Sequence, residues 1–435
     1  MKTSRIAIIA GALVLSSVLA ACGGGGKTEN QSIAGGDDGR EKITLGGWSL
    51  ATTPEFQVMI DGFNASQDKY ELEISEYDAT DFDTQLMADL SAGTAPDVIT
   101  LKNFIAFDTY QSANTLLDVT DIVDSLPKIA EASDPYNVDD RYFAVPYRFD
   151  AWLLFYNKTL FDQAGIEYPD ATWTWEDFSE KAQELASKLG EVNGAYIHNW
   201  QYPVQSFALQ TPESDFMSGD YGYTAPYYER ILALQDSGAI VDFGTITTNQ
   251  LTYQGQFGTQ EAAMMPMGSW YVATLLTQQE DGTADQFEWG IAPVPQYDET
   301  TTGTDAVPVT FGAPTAITIN ASIDESKLEG AKEFLKYVGS SEFAVELAKI
   351  GITPAQVGDE VIDAFFSIDG IPTDDISKFA MGNREIKLQN AVDPHAAEIE
   401  NALKDMHSSI MTKEVSIEEG ISSANERVQN EILGQ

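Results

Sequence analysis

The hydrophobic and polar positions of the chain follow two different periods from residue 43 onward. Residues 70–74 alternate between polar and apolar side chains, which is typical of a half-buried strand. Phe56, Ile60 and Phe63 recur at helical spacing behind Pro54, a residue favoured in the first turn of a helix. Strand-like and helix-like runs keep alternating along the chain, which is the pattern of an α/β fold.

The order of these runs predicts the sheets and their ligand-facing edge. Strands are predicted at 43–48, 70–74, 97–101, 142–146, 152–156, 262–265, 287–291 and 315–319, and helices at 54–63, 82–90, 174–190, 227–235, from 268, and at 328–338, with a helical tail from 384. Strands that alternate with helices form parallel sheets, and such sheets bind ligands beyond the carboxyl ends of their strands. Trp48 and Asn103 each follow a predicted strand, so we expect both to face a ligand.

The first 42 residues have the composition of a targeting segment and a linker. Lys2 and Arg5 precede the uncharged apolar run 6–19, which is too short to span a bilayer comfortably but suits a signal peptide. Small residues then lead to Cys22, as in the lipobox of bacterial lipoproteins. We therefore expect a signal peptide over 1–21, a lipid on Cys22 and a flexible linker over 22–42. The alternative is an ordinary secretory signal with an incidental cysteine.

Composition and charge exclude several functions. The 435 residues include 24 Lys and Arg against 68 Asp and Glu, for a formal net charge of −44. Phosphate binding needs clustered positive charge, so we expect no nucleic-acid partner. Anionic lipid would repel the chain, so membrane attachment would depend on acyl groups. The single cysteine allows no intrachain disulfide and no cysteine-cluster metal site, and we expect neither a metal nor a cofactor.

Several short strings together resemble a known family. They are 95–99 (APDVI), 145–158 (VPYRFDAWLLFYNK), 174–178 (TWEDF), 262–270 (AAMMPMGSW), 315–321 (TAITINA) and 351–355 (GITPA). In this order and spacing they resemble the sugar-type extracellular solute-binding proteins of bacterial ABC importers, the group that includes maltodextrin-binding protein. The resemblance covers nearly all of the chain from Ile43 onward.

The resemblance implies a two-lobed α/β fold of the periplasmic-binding-protein type. Each lobe is expected to be a helix-covered, mostly parallel sheet, with a ligand cleft between the lobes. The N-terminal lobe would comprise 43–149 plus 314–357, and the C-terminal lobe 151–312 plus 358–435. The chain is expected to cross between the lobes near Asp150, Phe311 and Val357.

Sugar recognition needs carboxylates or amides for hydroxyl groups and aromatic faces for the ring. The resemblance places Trp270 at a stacking position, Asp150 at a hydroxyl-binding position and Trp200 at a second aromatic position. The alternatives are a core role for Trp270 and an ion pair of Asp150 with Arg148. The complete set of predicted ligand contacts is Trp48, Asn103, Tyr147, Arg148, Asp150, Trp200, Trp270, Phe311, Gly312 and Arg384.

The resemblance also implies the biological role. We expect capture of a carbohydrate, an oligosaccharide above all, and delivery to the transmembrane subunits of an ABC permease. The protein would be a monomer, anchored by Cys22 at the extracellular face of the cell membrane. A non-sugar ligand is the alternative within binding proteins. A secreted carbohydrate-active enzyme is a more distant one, because no motif joins an acid and a nucleophile, and we expect no catalysis.

Overall fold

The computed structural model describes residues 39–434 apart from 49, 51–52, 79–80, 103, 127–128, 357 and 394. The predicted signal peptide, Cys22, Asn103 and Val357 lie outside the described residues. Within the described ranges, no helix combines the length and the apolar character needed to cross a membrane.

Strands and helices alternate over most of the chain, as the hydrophobic pattern predicts. The strands are β1 Glu41–Trp48, β2 Tyr70–Tyr77, β3 Val98–Leu101, β4 Asn137–Val138, β5 Arg141–Tyr142, β6 Val145–Asn157, β7 Met264–Gly268, β8 Trp289–Ala292, β9 Val309–Ile319 and β10 Glu385–Leu388. The helices are α1 Pro54–Ser66, α2 Phe82–Ala92, α3 Phe104–Ser112, α4 Thr120–Val123, α5 Ala130–Ser133, α6 Lys158–Ala164, α7 Trp175–Leu189, α8 Tyr202–Ala208, α9 Ala225–Asp236, α10 Phe243–Asn249, α11 Tyr253–Gly258, α12 Tyr271–Asp281, α13 Glu325–Val338, α14 Ser341–Ala348, α15 Asp359–Phe365, α16 Asp375–Gly382, α17 Ala396–Met411 and α18 Ile417–Arg427.

Local sequence explains where several helices begin and end. α7 starts with a capping box in which Thr174 and Asp177 exchange hydrogen bonds, the arrangement that satisfies the free N–H groups of a first turn. α2 ends at Gly93, whose φ of 70° is left-handed and suits glycine. These signals are local, and this is why the sequence predicts these boundaries well.

The main sheet has the strand order β2-β1-β3-β9-β6-β7, with β8 also paired to β6 and β10 to β9. β1 is parallel to both β2 and β3, as the opening β-α-β-α-β order predicts. β3 is antiparallel to β9, and β6 is antiparallel to β7, β8 and β9. β9 thus runs opposite to both of its neighbours β3 and β6, and β7 and β8 each run opposite to β6.

β6 and β9 are the structural link between the two lobes. Residues 145–151 of β6 pair with 312–317 of β9, whereas residues 152–157 pair with β7 and β8. One strand of 13 residues joins residues 145–146 of the first predicted run to the second run at 152–156, whereas Tyr142 belongs to β5. The polar side chains between the runs do not interrupt the backbone hydrogen bonds.

Separate hydrophobic cores lie on either side of this link. The N-terminal lobe packs β1, α1, α13 and neighbouring elements into one core, with a second beneath α2 and α3. The C-terminal lobe packs the second half of β6 with α7, α9, α12 and α17. α14 contributes to both sides, with Phe343 and Leu347 in the N-terminal core and Ala344 and Ala348 in the C-terminal one. The predicted bounds of the lobes stay a prediction.

The predicted helical tail from Arg384 is wrong at its start. Residues 385–388 form β10, which lies parallel to β9 and pairs with residues 309–312. Its side chains alternate between exposed and half-buried, which fits a strand at a sheet edge. The helical tail begins only with α17.

Candidate functional site

A chain of polar side chains occupies the point where β6 passes between the lobes. Arg148 donates through Nη1 to Oε1 of Glu55 at 2.6 Å, and through Nε to Oδ2 of Asp150. The Ser269 hydroxyl donates to Oδ1 of Asp150 at 2.9 Å, and the Thr353 hydroxyl donates to Ser269 Oγ at 2.9 Å. This series of hydrogen bonds therefore joins α1, β6, the start of α12 and the segment after α14.

The charged side chains of this network are largely buried. Glu55 is 1% exposed and Asp150 is 6% exposed, while 16% of the Arg148 side chain remains accessible. Burial alone would lower the pKa of Arg148, but Asp150 and Glu55 together raise it above its ordinary value. Arg148 thus stays cationic between two carboxylates. Its guanidinium has five N–H donors, so it keeps donors beyond the two that these bonds use.

The ion pair between Arg148 and Asp150 does not by itself remove Asp150 from ligand binding. A carboxylate offers about four acceptor positions. Arg148 and Ser269 account for one bond to each oxygen. The ligand contact predicted for Asp150 and Arg148 stays a prediction, since both alternatives fit the geometry.

Trp48 lies at the end of β1 in the N-terminal lobe, and its predicted contact with a ligand stays a prediction. Its ring is half-buried and meets the edges of Phe56 and Phe82 at centroid distances of 5.2 and 5.0 Å. The ammonium of Lys102 lies 5.0 Å from the centroid of the Trp48 ring, within cation–π range. Burial lowers the pKa of Lys102, and the charges of Asp83 and Asp78 oppose that shift. Trp48 is held in place by these neighbours.

The C-terminal lobe contributes a cluster of aromatic side chains. The Trp270 centroid lies 5.8 Å from that of Trp152 and 6.4 Å from that of Trp200. Tyr253 lies 5.8 Å from Trp200, and His198 meets Trp200 edge-on at 4.4 Å. We call Trp200, Trp270, Tyr253 and His198 the aromatic wall. Trp200 is 36% exposed, and the other three are partly buried.

The aromatic wall adjoins the polar chain at the strand crossing. Trp270 directly follows Ser269, which bonds to Asp150. Burial raises the pKa of the Tyr253 phenol, while a hydrogen bond from Trp270 and the charge of Arg148 act in the opposite direction. Burial also lowers the pKa of His198 to about 4, so its imidazole is neutral at pH 7. The site therefore combines partly exposed aromatic rings with a neighbouring carboxylate and guanidinium.

Arg384 lies beyond α16, just before β10. Its Nη1 donates to the carbonyl of Ala380 at 3.0 Å and contacts Sδ of Met381 at 3.4 Å. Burial lowers the pKa of Arg384 to about 10, and attraction to Asp150 opposes the shift. The ligand contact predicted for Arg384 stays a prediction, and the electrostatic effect of Asp150 is consistent with it.

Three other predicted contacts lie at buried positions, and their contact with a ligand stays a prediction. Tyr147 is 2% exposed and packs in the N-terminal core, where burial and the charge of Glu55 raise the pKa of its phenol and the charge of Arg148 opposes that shift. Phe311 is 1% exposed in the C-terminal core, with its ring 6.4 Å from Phe207. A Cβ on Gly312 would lie 2.1 Å from the carbonyl oxygen of Asp150, so the close approach of β6 and β9 requires glycine. Tyr147 and Phe311 therefore expose almost none of their surface in this conformation.

The sequence did not reveal Glu55, Ser269, Thr353, Tyr253 or His198 as parts of this site. In the sequence, Glu55 looks like any acidic residue in the first turn of a helix, and Ser269 looks like any small residue before a helix. Their partners lie 93 and 119 positions away, in Arg148 and Asp150 respectively. Only the strand crossing brings them together, so no local pattern indicates them.

Comparison with known proteins gives these features a context. The family model described as bacterial extracellular solute-binding protein matches residues 47–344. The chain belongs to this family. The fold predicted for it, two α/β lobes, is therefore confirmed.

Individual members of the solute-binding family resemble the chain to different extents. The arabinooligosaccharide-binding protein of Halalkalibacterium halodurans is 26% identical over 272 residues, which are 60% of this chain but only 58% of that protein. A sugar transporter of Rhizobium etli, solved in an open conformation, has a TM-score of 0.78 at 27% identity over 89% of this chain and 99% of its own. A substrate-binding protein of Listeria monocytogenes, in complex with cycloalternan, has a TM-score of 0.75 at 19% identity over 91% of this chain and 100% of its own, and shows the fold alone.

Proposed function

We propose that this solute-binding protein captures a carbohydrate outside the cell and delivers it unaltered to an ABC permease. The observation that carries the proposal is the aromatic wall beside Asp150. Rings of Trp and Tyr offer large flat surfaces to the C–H faces of a sugar. A carboxylate and a guanidinium with unused acceptor and donor positions suit sugar hydroxyl groups.

The relatives support a sugar over other solutes. One is named for binding arabino-oligosaccharides, and the Rhizobium etli protein is described as a sugar transporter. The aromatic wall extends over Trp200 and Trp270, two rings 6.4 Å apart, which favours a ligand larger than one sugar ring. We therefore propose an oligosaccharide, contacted by Trp48, Trp200, Trp270, Asp150, Arg148 and Arg384. Asn103 belongs to this proposal from its position after β3.

Capture is proposed to proceed by closure of the two lobes. The N-terminal lobe presents Trp48 and Lys102, and the C-terminal lobe presents the aromatic wall. A ligand that touches both sides makes more contacts when the lobes are closed, and so shifts the population toward the closed state. The permease would then bind the closed form, and ATP hydrolysis in its partner subunits would drive release.

We also propose that a lipid on Cys22 holds the protein at the extracellular face of the membrane. The support is the apolar run 6–19 followed by small residues and the only cysteine. Cells grown with a labelled fatty acid should label the wild type, whereas the Cys22→Ser variant should be unlabelled and partly released into the medium. Release without any change in labelling would contradict the anchor.

A thermal-shift screen of the full chain against mono- and oligosaccharides, including arabino-oligosaccharides, tests the function. A ligand at 100 times its Kd stabilises the folded state by about 2.7 kcal/mol and raises the melting temperature. Calorimetry on Trp270→Ala should then show a loss of about 2 kcal/mol or more. Tyr168→Ala, an exposed aromatic in the same lobe, is the control and should bind normally. Conversion of any sugar to product would support the enzyme alternative instead.

A further inference from the structure

Glu55 is an unusual residue for its position. Acidic side chains in the first turn of a helix are normally exposed and interact with the helix dipole. Glu55 in α1 is instead 1% exposed and bonds to Arg148, 93 positions away on β6. A buried carboxylate is costly unless a cation or several donors compensate it. The arrangement therefore depends on Arg148.

Arg148 in turn links Glu55 to both lobes. Glu55 belongs to α1 of the N-terminal lobe, whereas Ser269 lies between β7 and α12 of the C-terminal lobe. Arg148 and Asp150 lie between them on the crossing strand, where residue 151 is the last to pair with β9 and 152 the first to pair with β7. The bonds thus run from one lobe to the other through the crossing.

The segment after α14 also bonds to this hydrogen-bonded series, through Thr353. Phe149 donates its backbone N–H to the carbonyl of Thr353 at 3.0 Å, and the Thr353 hydroxyl donates to Ser269. Ser269 Oγ also accepts the N–H of Ala151 at 3.3 Å. Each link is a short directional bond, so a rotation of one lobe against the other must stretch or break some of them.

We propose that Glu55 is a positioning residue for ligand capture, which fixes the angle between the two lobes of the unliganded protein through Arg148 and Asp150. With Glu55 in place, the Arg148 guanidinium bonds to Glu55 and to Asp150, so it cannot move with Asp150 when the lobes rotate without breaking its bond to Glu55. Without it, Arg148 keeps only the bond to Asp150, and the crossing loses its attachment to α1. The inference deepens the proposed function, because this angle sets how the site receives its ligand.

The inter-lobe distance distribution, measured by double electron–electron resonance without ligand, tests this proposal. Spin labels on Ser91→Cys in α2 and Ser422→Cys in α18 report on the two lobes, with Cys22→Ser removing the only native thiol. Both sites are exposed. No sugar is needed, so failure of this test is distinct from failure of carbohydrate binding.

Glu55→Gln should broaden or shift the distance distribution relative to the parent. Asp150→Asn should do the same, and the double variant should change no more than the larger single effect, because both act through one chain of bonds. Glu418→Gln, an exposed first-turn acid of α18, is the matched control and should match the parent. A lowered melting temperature with an unchanged distribution would assign Glu55 a purely structural role and overturn the proposal, as would additive effects.

Discussion

Replacement of Arg148 by Met tests the electrostatic account of the strand crossing. Met keeps an unbranched apolar stem but removes the charge. The two buried carboxylates, Glu55 and Asp150, would then both lose the cation that pairs with them. Asp150 would retain the hydrogen bond from Ser269, whereas Glu55 would lose the charged partner shown here.

The magnitude follows from the burial of the pair. Breaking a buried ion pair by removing one partner costs about 3–5 kcal/mol. Because 16% of the Arg148 side chain is accessible, water can partly replace it, and we expect the lower end, about 3 kcal/mol. For domains of the size of one lobe, each kcal/mol lost from the free energy of unfolding lowers the melting temperature by about 2–4 °C. A loss of about 3 kcal/mol should therefore lower the melting temperature by about 6–12 °C.

Thermal unfolding followed by circular dichroism measures the effect, with Arg427→Met as the matched control. Arg427 pairs with Asp405 at 2.7 Å, but their side chains are 42% and 72% exposed. Exposed pairs contribute about 0–1 kcal/mol, so the melting temperature of this variant should fall by at most about 4 °C. Equal losses in both variants would refute the reasoning.

Further predictions concern other residues of the two lobes. Tyr147→Phe should preserve sugar binding and slightly raise the melting temperature, because the buried hydroxyl has no hydrogen-bond partner among the described residues; weaker calorimetric binding would return Tyr147 to the site. Gly312→Ala should destabilise the protein by about 1–3 kcal/mol in denaturant unfolding, since its Cβ would meet the Asp150 carbonyl, and an unchanged midpoint would contradict that close approach. His198 has a folded pKa of about 4 against an ordinary 6.5, so it stabilises the protein fully above pH 6.5 and progressively less as the pH falls toward 4. In His198→Gln the melting temperature should depend less on pH in that window. Some dependence should remain, because burial also lowers the pKa of His407.

The sequence predicted those parts of the structure that depend on local signals. The starts of α1 and α7, the end of α2 and the order of strands and helices all follow from proline, capping residues, glycine and hydrophobic period. β6 also carries two charged residues, Arg148 and Asp150, within its largely apolar run. Their charges are satisfied by residues from other elements, which no local pattern shows.

The site was predicted only in part for a similar reason. Trp200 and Trp270 come together in the aromatic wall, and their contact with a ligand stays a prediction. The burial of Tyr147 was not predicted, because the irregular register between Pro146 and Arg148 cannot be seen in the sequence. Tyr253 joins the wall through packing of α11 against α12, a contact set by tertiary structure.

The interleaved path of the chain has a consequence for biogenesis. Asn320 donates to the carbonyl of Pro96, 224 positions earlier, and β9 lies at the centre of the sheet between β3 and β6. The first lobe to emerge from the ribosome thus lacks its middle strand until most of the polypeptide has been made. Such distant pairing slows folding, because a long stretch of chain must be closed into a loop before β3 can meet β9.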